Sequence, residues 1–314
     1  MLVTVAAGLR SGLMTGERWH ATGPEGLDAF EFVPFTAPEP GPGEIRIQVR
    51  AAGVNPADLK HIRRAASFPL PIGYEVSGVV TAVGDGTRFE IGDRVVAFRV
   101  HGGYATEITV PGSSALPLPE TVDDVEAAGL LLAGTTAADM LHRSRAVTGE
   151  TILMHGASGA VGATLLQLAA RAGVRVIGTA APDRLDAVTR FGGAAVPYGP
   201  DLLERIDGPV DAVLDLAGTA EAMEASLALV DDRSRIITAA NKAAAQRHGV
   251  VAVAGLDPES AAFRDAARVG LIAMVAAGEL VVPIARTFAL DDAVSALALV
   301  SAGLAGGKVV LVCG

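Results

Sequence analysis

The stretch that decides the fold runs from Thr151 to Gly173 and reads TILMHGASGAVGATLLQLAARAG. Its first residues form a short apolar run of strand length. A turn of small residues follows, and the remainder carries apolar residues at helical spacing. A strand that enters a helix through a glycine-containing turn is typical of a βα unit in a parallel sheet.

The turn within this stretch matches the dinucleotide-binding fingerprint, except that Ala157 replaces its first glycine. Gly159 allows backbone N–H groups to approach a pyrophosphate, and Gly162 allows the helix to pack closely on the strand. The following helix offers its positive end to the phosphates. A tight turn without a ligand is the alternative, but the βα context favours binding. The predicted contacts are Ser158, Gly159, Ala160, Val161 and Gly162.

Downstream of the turn, apolar strands alternate with helical patterns over residues 160–172, 182–191 and 219–230. This alternation predicts a doubly wound parallel sheet covered on both faces. Upstream, residues 44–111 contain short β-rich segments broken by Gly and Pro, which predict a small barrel or sandwich. The proline-rich stretch 111–124 indicates a boundary between the two. The fold class is therefore α/β with two domains.

Composition limits the functional classes. The 314 residues carry a formal net charge of −10 with no basic block, so a nucleic-acid partner is not expected. The single cysteine, Cys313, excludes an intramolecular disulfide. No apolar run is long enough to cross a bilayer. The first thirteen residues lack a basic leader region, so we expect an extension or a disordered tail there rather than a signal peptide. We also expect the protein to be cytoplasmic.

The second strand of the parallel sheet indicates which dinucleotide binds. It ends in Thr179, Ala180 and Ala181, where NAD-binding proteins carry an acidic residue for the ribose 2′-hydroxyl. Arg184 follows closely and can pair with a 2′-phosphate. We therefore predict NADPH, the alternative being that Arg184 is a solvated surface residue.

Taken together, the motifs resemble the zinc-independent quinone oxidoreductase branch of the medium-chain dehydrogenase/reductase (MDR) superfamily. They are AAGVNPADLK (51–60), GYEVSGVVTAVG (73–84), GDRVVAF (92–98), GGYATEITVP (102–111), LAGTTAADML (132–141), the glycine turn and GGKVVLV (306–312). The resemblance implies a GroES-like β-barrel catalytic domain over 1–118, completed by 256–314. A Rossmann domain over 119–255 then lies between the two parts, with the cofactor in the cleft, and homodimers form.

The resemblance also implies roles for single residues. Tyr198 matches a tyrosine near the adenosine 2′-phosphate, although Gly199 stands where a basic residue often follows. Thr135 and Thr136 match a threonine pair near the nicotinamide; the alternative is that they open a helix as caps. Asn55 matches an asparagine beside the nicotinamide ribose, whose amide can donate to an oxyanion. The alternative is that Asn55 only marks a turn before proline.

Zinc-dependent relatives carry a cysteine, a GHE motif and a cluster of four further cysteines. Here Asn55 and Tyr74 replace the first two, and the cluster is missing, so we predict no metal. The expected reaction is hydride transfer from NADPH to a quinone or an α,β-unsaturated carbonyl. A 2-enoyl thioester reductase and a non-catalytic NADPH-binding redox sensor are the alternatives.

Three residues are the catalytic candidates: Asn55, Tyr74 and Asp58. The Tyr74 hydroxyl can donate a proton or a hydrogen bond, although a half-buried aromatic spacer is an equal alternative. Asp58 is expected either in an ion pair with Lys60 or as part of a solvated pair. Glu75 is expected to be structural, and the histidines, including His155, receive no catalytic role.

Overall fold

The computed structural model describes residues 16–314. The prediction made for the first thirteen residues therefore lies outside the described part of the chain. None of the helices within 16–314 is long and apolar enough to cross a membrane.

The N-terminal part folds mainly into antiparallel strands. Its elements are β1 (Gly16–Ala21), β2 (Phe30–Phe35), β3 (Glu44–Val54), α1 (Pro56–Ile62), β4 (Leu70–Pro71), β5 (Glu75–Val83), β6 (Arg94–Phe98), β7 (Glu107–Pro111) and β8 (Ala115–Pro117). The central strand is β3, which pairs with β5 along one edge and with β7 along the first half of the other. Its side chains alternate between buried and exposed at first and are all buried from Ala51 onward, where a helix covers the outer face of the sheet.

The middle part is a parallel sheet flanked by helices. Its elements are α2 (Asp124–Ser144), β9 (Thr151–His155), α3 (Ala160–Arg171), β10 (Arg175–Ala180), α4 (Leu185–Thr189), β11 (Ala194–Pro197), β12 (Ala212–Asp215), α5 (Ala220–Leu229), β13 (Ile236–Thr238), α6 (Lys242–His248) and β14 (Val251–Ala252). The strand order is β11-β10-β9-β12-β13-β14, and every pair is parallel. This is the doubly wound order of a Rossmann sheet, which confirms the predicted fold class.

The C-terminal part returns to the first sheet. It consists of α7 (Pro258–Ala276), β15 (Ile284–Ala289), α8 (Ala293–Ser301) and β16 (Lys308–Val312). Strand β16 pairs antiparallel with the second half of β3, and β15 pairs with β16. Helix α7 packs on α2 around Leu131 and Leu271. The domain boundaries placed at residues 118 and 256 remain a prediction.

Some elements differ from the sequence-based expectations. The helix expected over 182–191 is a 3-10 turn at 182–184 followed by the short α4, which ends at Thr189. Strands β1, β2 and β4 were not predicted. Of helix α2 only the second half was anticipated, as a helix opened by Thr135 and Thr136. The apolar run before them was considered only as a membrane segment, yet it belongs to the same helix and packs against β3, β5 and α7.

Candidate active site

The glycine turn after β9 lies where the strand order of the parallel sheet reverses, between β9 and β12. Such switch points are where open α/β sheets bind ligands. Gly156 leaves the strand with a φ of +73°, which a residue without a Cβ adopts readily. The Gly156 and Ala157 amides donate to the Thr179 hydroxyl (3.3 Å) and carbonyl (2.9 Å). Thr179 therefore holds the turn against β10.

The same turn fits a dinucleotide phosphate. Gly159 is the N-cap of α3, and no side chain caps the first turn of this helix. A Cβ on Gly159 would meet only the Gly156 carbonyl, at 3.7 Å, so the space in front of the helix is open. A Cβ on Gly162 would lie 2.3 Å from the Ala157 carbonyl, which requires glycine there. Ser158, Ala160 and Val161 are partly exposed beside this space, and the first-turn N–H groups have no intrahelical acceptors.

Two of the residues predicted to contact the adenosine end lie at the carboxyl ends of β10 and β11. The side chain of Tyr198 is 60% exposed just after β11, and its amide donates to the Ala180 carbonyl at 3.2 Å. Arg184 extends the other way. Its guanidinium donates to the carbonyls of Gly303 (3.2 Å) and Leu304 (2.7 Å), in the turn between α8 and β16. Arg184 thus joins the parallel sheet to the C-terminal segment.

The sequence reasoning missed Arg205. Its guanidinium donates to the Pro197 carbonyl at 3.4 Å and lies 4.0 Å from the position of a Cβ on Gly199. A cation therefore stands beside Tyr198 although no basic residue follows that tyrosine in sequence. Arg205 also pairs with Asp201 (3.1 Å), but the two lie in no α-helix, so no local sequence pattern indicated this placement.

Asn55 lies in a buried polar network between β3, β5 and β16. Its Oδ1 accepts from the Lys308 ammonium at 2.6 Å, and its Nδ2 donates to Glu75 Oε1 (3.0 Å) and the Gly53 carbonyl (3.1 Å). Lys308 also donates to Glu75 at 2.5 Å, and Glu75 accepts from the Leu132 amide of α2 at 2.8 Å. Both Asn55 N–H groups are engaged, so the amide donates to no oxyanion without giving up one of these bonds. Asn55 is also the N-cap of α1 and not a simple turn residue.

Asp58 is buried below the start of α1, so the expectation of an ion pair or solvated pair with Lys60 is wrong. Its side chain is only 1% exposed, whereas Lys60 points to solvent. Asp58 Oδ2 accepts from the Asn55 amide (2.8 Å) and the Tyr104 hydroxyl (2.9 Å), while Oδ1 has no partner within residues 16–314. Burial raises the pKa of Asp58 to about 7 despite these two hydrogen bonds.

Because the Asp58 pKa is raised on folding, from 3.8 to about 7, the folded state binds this proton more tightly than the unfolded state. The contribution of Asp58 to the free energy of unfolding should fall by about 4 kcal/mol as pH rises across that interval and stay low above it. We expect Asp58→Asn to lack this loss. Urea unfolding of both proteins at about pH 5 and about pH 8 should capture about 3 kcal/mol of it, and equal pH dependence in the two proteins would contradict it.

Thr135 and Thr136 lie in the middle of α2, so the alternative that they cap a helix is wrong. Their hydroxyls donate to the carbonyls four residues earlier, at 2.6 and 2.7 Å. Arg264 of α7 donates to the Thr136 hydroxyl at 3.1 Å and to Asp139 at 2.9 Å. The oxygen of Thr135 keeps acceptor capacity, but the residue is fully buried, so no ligand reaches it in this arrangement.

Tyr74 lies between β4 and β5 with its ring half-buried. Its ring centroid is 5.0 Å from that of His61 and 5.8 Å from that of His101, and the two imidazoles are 5.2 Å apart. The Tyr74 hydroxyl makes no hydrogen bond to a residue of the described chain. Burial, and to a smaller extent Asp58, raises the pKa of Tyr74, so the phenol is protonated at neutral pH. His155 is buried elsewhere, against Ser226.

The donor set at this end of the cleft does not fit a zinc ion. The amide of Asn55 is consumed by internal hydrogen bonds, and the pKa of the Tyr74 phenol is raised, which disfavours the phenolate that would bind a metal. Nowhere in residues 16–314 do three or more His, Cys, Asp or Glu side chains converge at distances suited to a metal ion.

Two protein-family models match this chain, one in its N-terminal part and one in its C-terminal part. Residues 41–120 match the alcohol dehydrogenase GroES-like domain, and residues 193–311 match the zinc-binding dehydrogenase family. The quinone oxidoreductase of Rattus norvegicus is 41% identical over 151 residues, 46% of this chain and 46% of the relative. The match thus spans less than half of the rat protein. The quinone oxidoreductase of Pseudomonas aeruginosa is 34% identical over 237 residues, 70% of each chain.

The fold also matches solved structures over nearly the whole chain. The mycobacterial protein Rv1454c complexed with NADPH has a TM-score of 0.83 at 27% identity. The match covers 95% of this chain and 100% of that one. Both halves of the fold, and the order in which they follow one another, are therefore shared with that protein.

Proposed function

The chain belongs to the quinone oxidoreductase family of the MDR superfamily, and we propose that it is an NADPH-dependent, zinc-independent reductase of quinones or α,β-unsaturated carbonyls. The proposal includes cytoplasmic location, a homodimer and a small-molecule acceptor. The observation that carries it is the open N-terminus of α3 behind Gly159, at the switch point of the parallel sheet.

When bound, NADPH supplies the hydride that reduces the acceptor. The first-turn amides of α3 would bind the pyrophosphate. Glu75 and Lys308 hold the Asn55 side chain in one orientation, so the wall of the cleft beside the acceptor is rigid. The free hydroxyl of Tyr74 donates to the acceptor oxygen as negative charge develops there.

The proposal is tested by following NADPH and NADH oxidation by loss of the reduced nicotinamide absorbance, with and without EDTA. The acceptors are 1,4-benzoquinone, 9,10-phenanthrenequinone and an enone. We expect turnover that prefers NADPH and resists EDTA. Loss of turnover in EDTA would contradict zinc independence. Tight NADPH binding without turnover of these acceptors or of an enoyl thioester would make the protein a sensor.

The preference for NADPH is expected to depend on Arg184. Arg184→Ala should weaken NADPH binding about tenfold or more and leave NADH binding nearly unchanged, because the guanidinium would exchange its bonds to the Gly303 and Leu304 carbonyls for the 2′-phosphate, which only NADPH carries. Titration of both dinucleotides against the protein's fluorescence measures the two Kd values, with Arg205→Ala as a parallel variant beside Tyr198. Equal weakening of both dinucleotides would instead assign Arg184 to its contacts with Gly303 and Leu304 alone.

A further inference from the structure

His61, Tyr74 and His101, which we call the mouth cluster, form a group of three rings that reaches solvent at His101. His61 is in the last turn of α1, Tyr74 precedes β5, and His101 follows β6. His101 is exposed, and the other two side chains are partly buried. The cluster therefore extends inward from the surface at His101 to Tyr74. The next residue along the chain, Glu75, accepts a hydrogen bond from Asn55.

The backbone keeps the cluster together. The Val100 amide donates to the Tyr74 carbonyl at 3.1 Å, and the Tyr104 amide donates to the Ile72 carbonyl at 2.9 Å. Between these bonds, a Cβ on Gly73, which has a φ of +107°, would lie 2.6 Å from the Tyr104 ring. The segment carrying Tyr74 is thus paired with the loop carrying His101, so main-chain geometry brings these two rings together.

We propose that the mouth cluster supplies the proton of the reaction: the Tyr74 hydroxyl protonates the reduced acceptor, and His61 with His101 returns a proton to Tyr74 from solvent. The inference rests on the proposed function and deepens it. It names Tyr74 as the catalytic acid and the two histidines, which act through Tyr74, as positioning residues.

The chemistry balances with one proton from water. Once an acceptor carbon has taken the hydride and its two electrons, the conjugated oxygen carries negative charge. That oxygen takes the phenol proton as the Tyr74 O–H bond breaks. The tyrosinate then takes a proton from an N–H of His61, while the other ring nitrogen of His61 takes one from water or from His101. Tyr74 ends as it began, whereas His61 ends neutral with its N–H on the other ring nitrogen, and tautomer exchange through water restores its starting form.

The charges around the cluster agree with this order of events. Burial lowers the pKa of His61, and the neighbouring His101 and the cation of Arg64 lower it further, so His61 is neutral at neutral pH. A neutral imidazole has one N–H donor and one acceptor nitrogen, as a relay requires. Among the charged neighbours of Tyr74, Asp58 favours the phenol and Arg64 favours the phenolate.

The test measures kcat, KM and the solvent isotope effect with one quinone or enone acceptor for Tyr74→Phe, His61→Asn and His101→Asn, with EDTA present. Tyr74→Phe should lower kcat about 100-fold or more, which is the usual range for loss of a general acid. Its fold should persist because the hydroxyl makes no hydrogen bond. His61→Asn should lower kcat about tenfold and enlarge the solvent isotope effect. The Kd for NADPH should stay unchanged in all variants.

Free imidazole added to His61→Asn distinguishes a relay from a packing role. We expect the rate to rise with imidazole concentration in this variant and not in wild type, Tyr74→Phe or the matched control His248→Asn, whose histidine ends α6. Wild-type kcat in Tyr74→Phe, or no rescue of a slowed His61→Asn, would overturn the relay while the proposed function stands. No NADPH oxidation by wild type would overturn both.

Discussion

Lys308→Met should destabilise the folded protein by about 3–5 kcal/mol, the usual cost of removing one partner of a buried ion pair. Lys308 and Glu75 are 2% and 0% exposed, and no solvent reaches the carboxylate once the ammonium is gone. Asn55 loses the donor to its Oδ1 at the same time. Since whole domains are stable by only about 5–15 kcal/mol, urea unfolding should show the effect clearly.

The double variant Lys308→Met/Glu75→Gln should recover much of this loss, because the remaining buried group is then neutral. Lys242→Met is the matched control: Lys242 is exposed at the start of α6, so its replacement should change the free energy of unfolding by less than about 0.5 kcal/mol. A double variant less stable than Lys308→Met would contradict the idea that an uncompensated Glu75 charge is the cause.

Gly159→Asp should separate cofactor binding from folding. The backbone at Gly159, with φ −83° and ψ 175°, is extended and suits any residue, and the space around its Cβ is open. An aspartate at this N-cap can accept from the first-turn amides, which stabilises a helix by about 0.3 kcal/mol relative to glycine. Those same amides bind phosphate in the proposed complex, and the carboxylate repels it.

We therefore expect an unchanged or slightly higher unfolding midpoint for Gly159→Asp, together with a Kd for NADPH about 100-fold weaker or worse, equivalent to about 2.7 kcal/mol. Gly270→Asp places the same charge on the exposed face of α7, where a Cβ meets nothing within 4 Å, and should leave the Kd unaltered. Retention of wild-type affinity by Gly159→Asp would show that the phosphates bind elsewhere.

Local pattern determined much of the parallel sheet. The run from Thr151 to Gly173 predicts a strand, a glycine turn and a helix, and β9, Gly156 and α3 are found there. This succeeds because backbone conformation and side-chain periodicity are properties of neighbouring residues. The same local logic failed for α2, whose apolar residues are buried on several sides and so show no clear helical face.

By itself, then, the sequence determined the α/β class, the order of the βα units and the residue types available for a dinucleotide. Tertiary structure alone decided that Lys308 contacts Asn55, 253 positions away in sequence. It also decided that Arg205 lies beside Tyr198. The same holds for the mouth cluster, whose three rings come from separate segments. Such contacts depend on strand register and on the closure of long loops. The residues that make them carry no local signal, because in isolation each is an ordinary polar side chain.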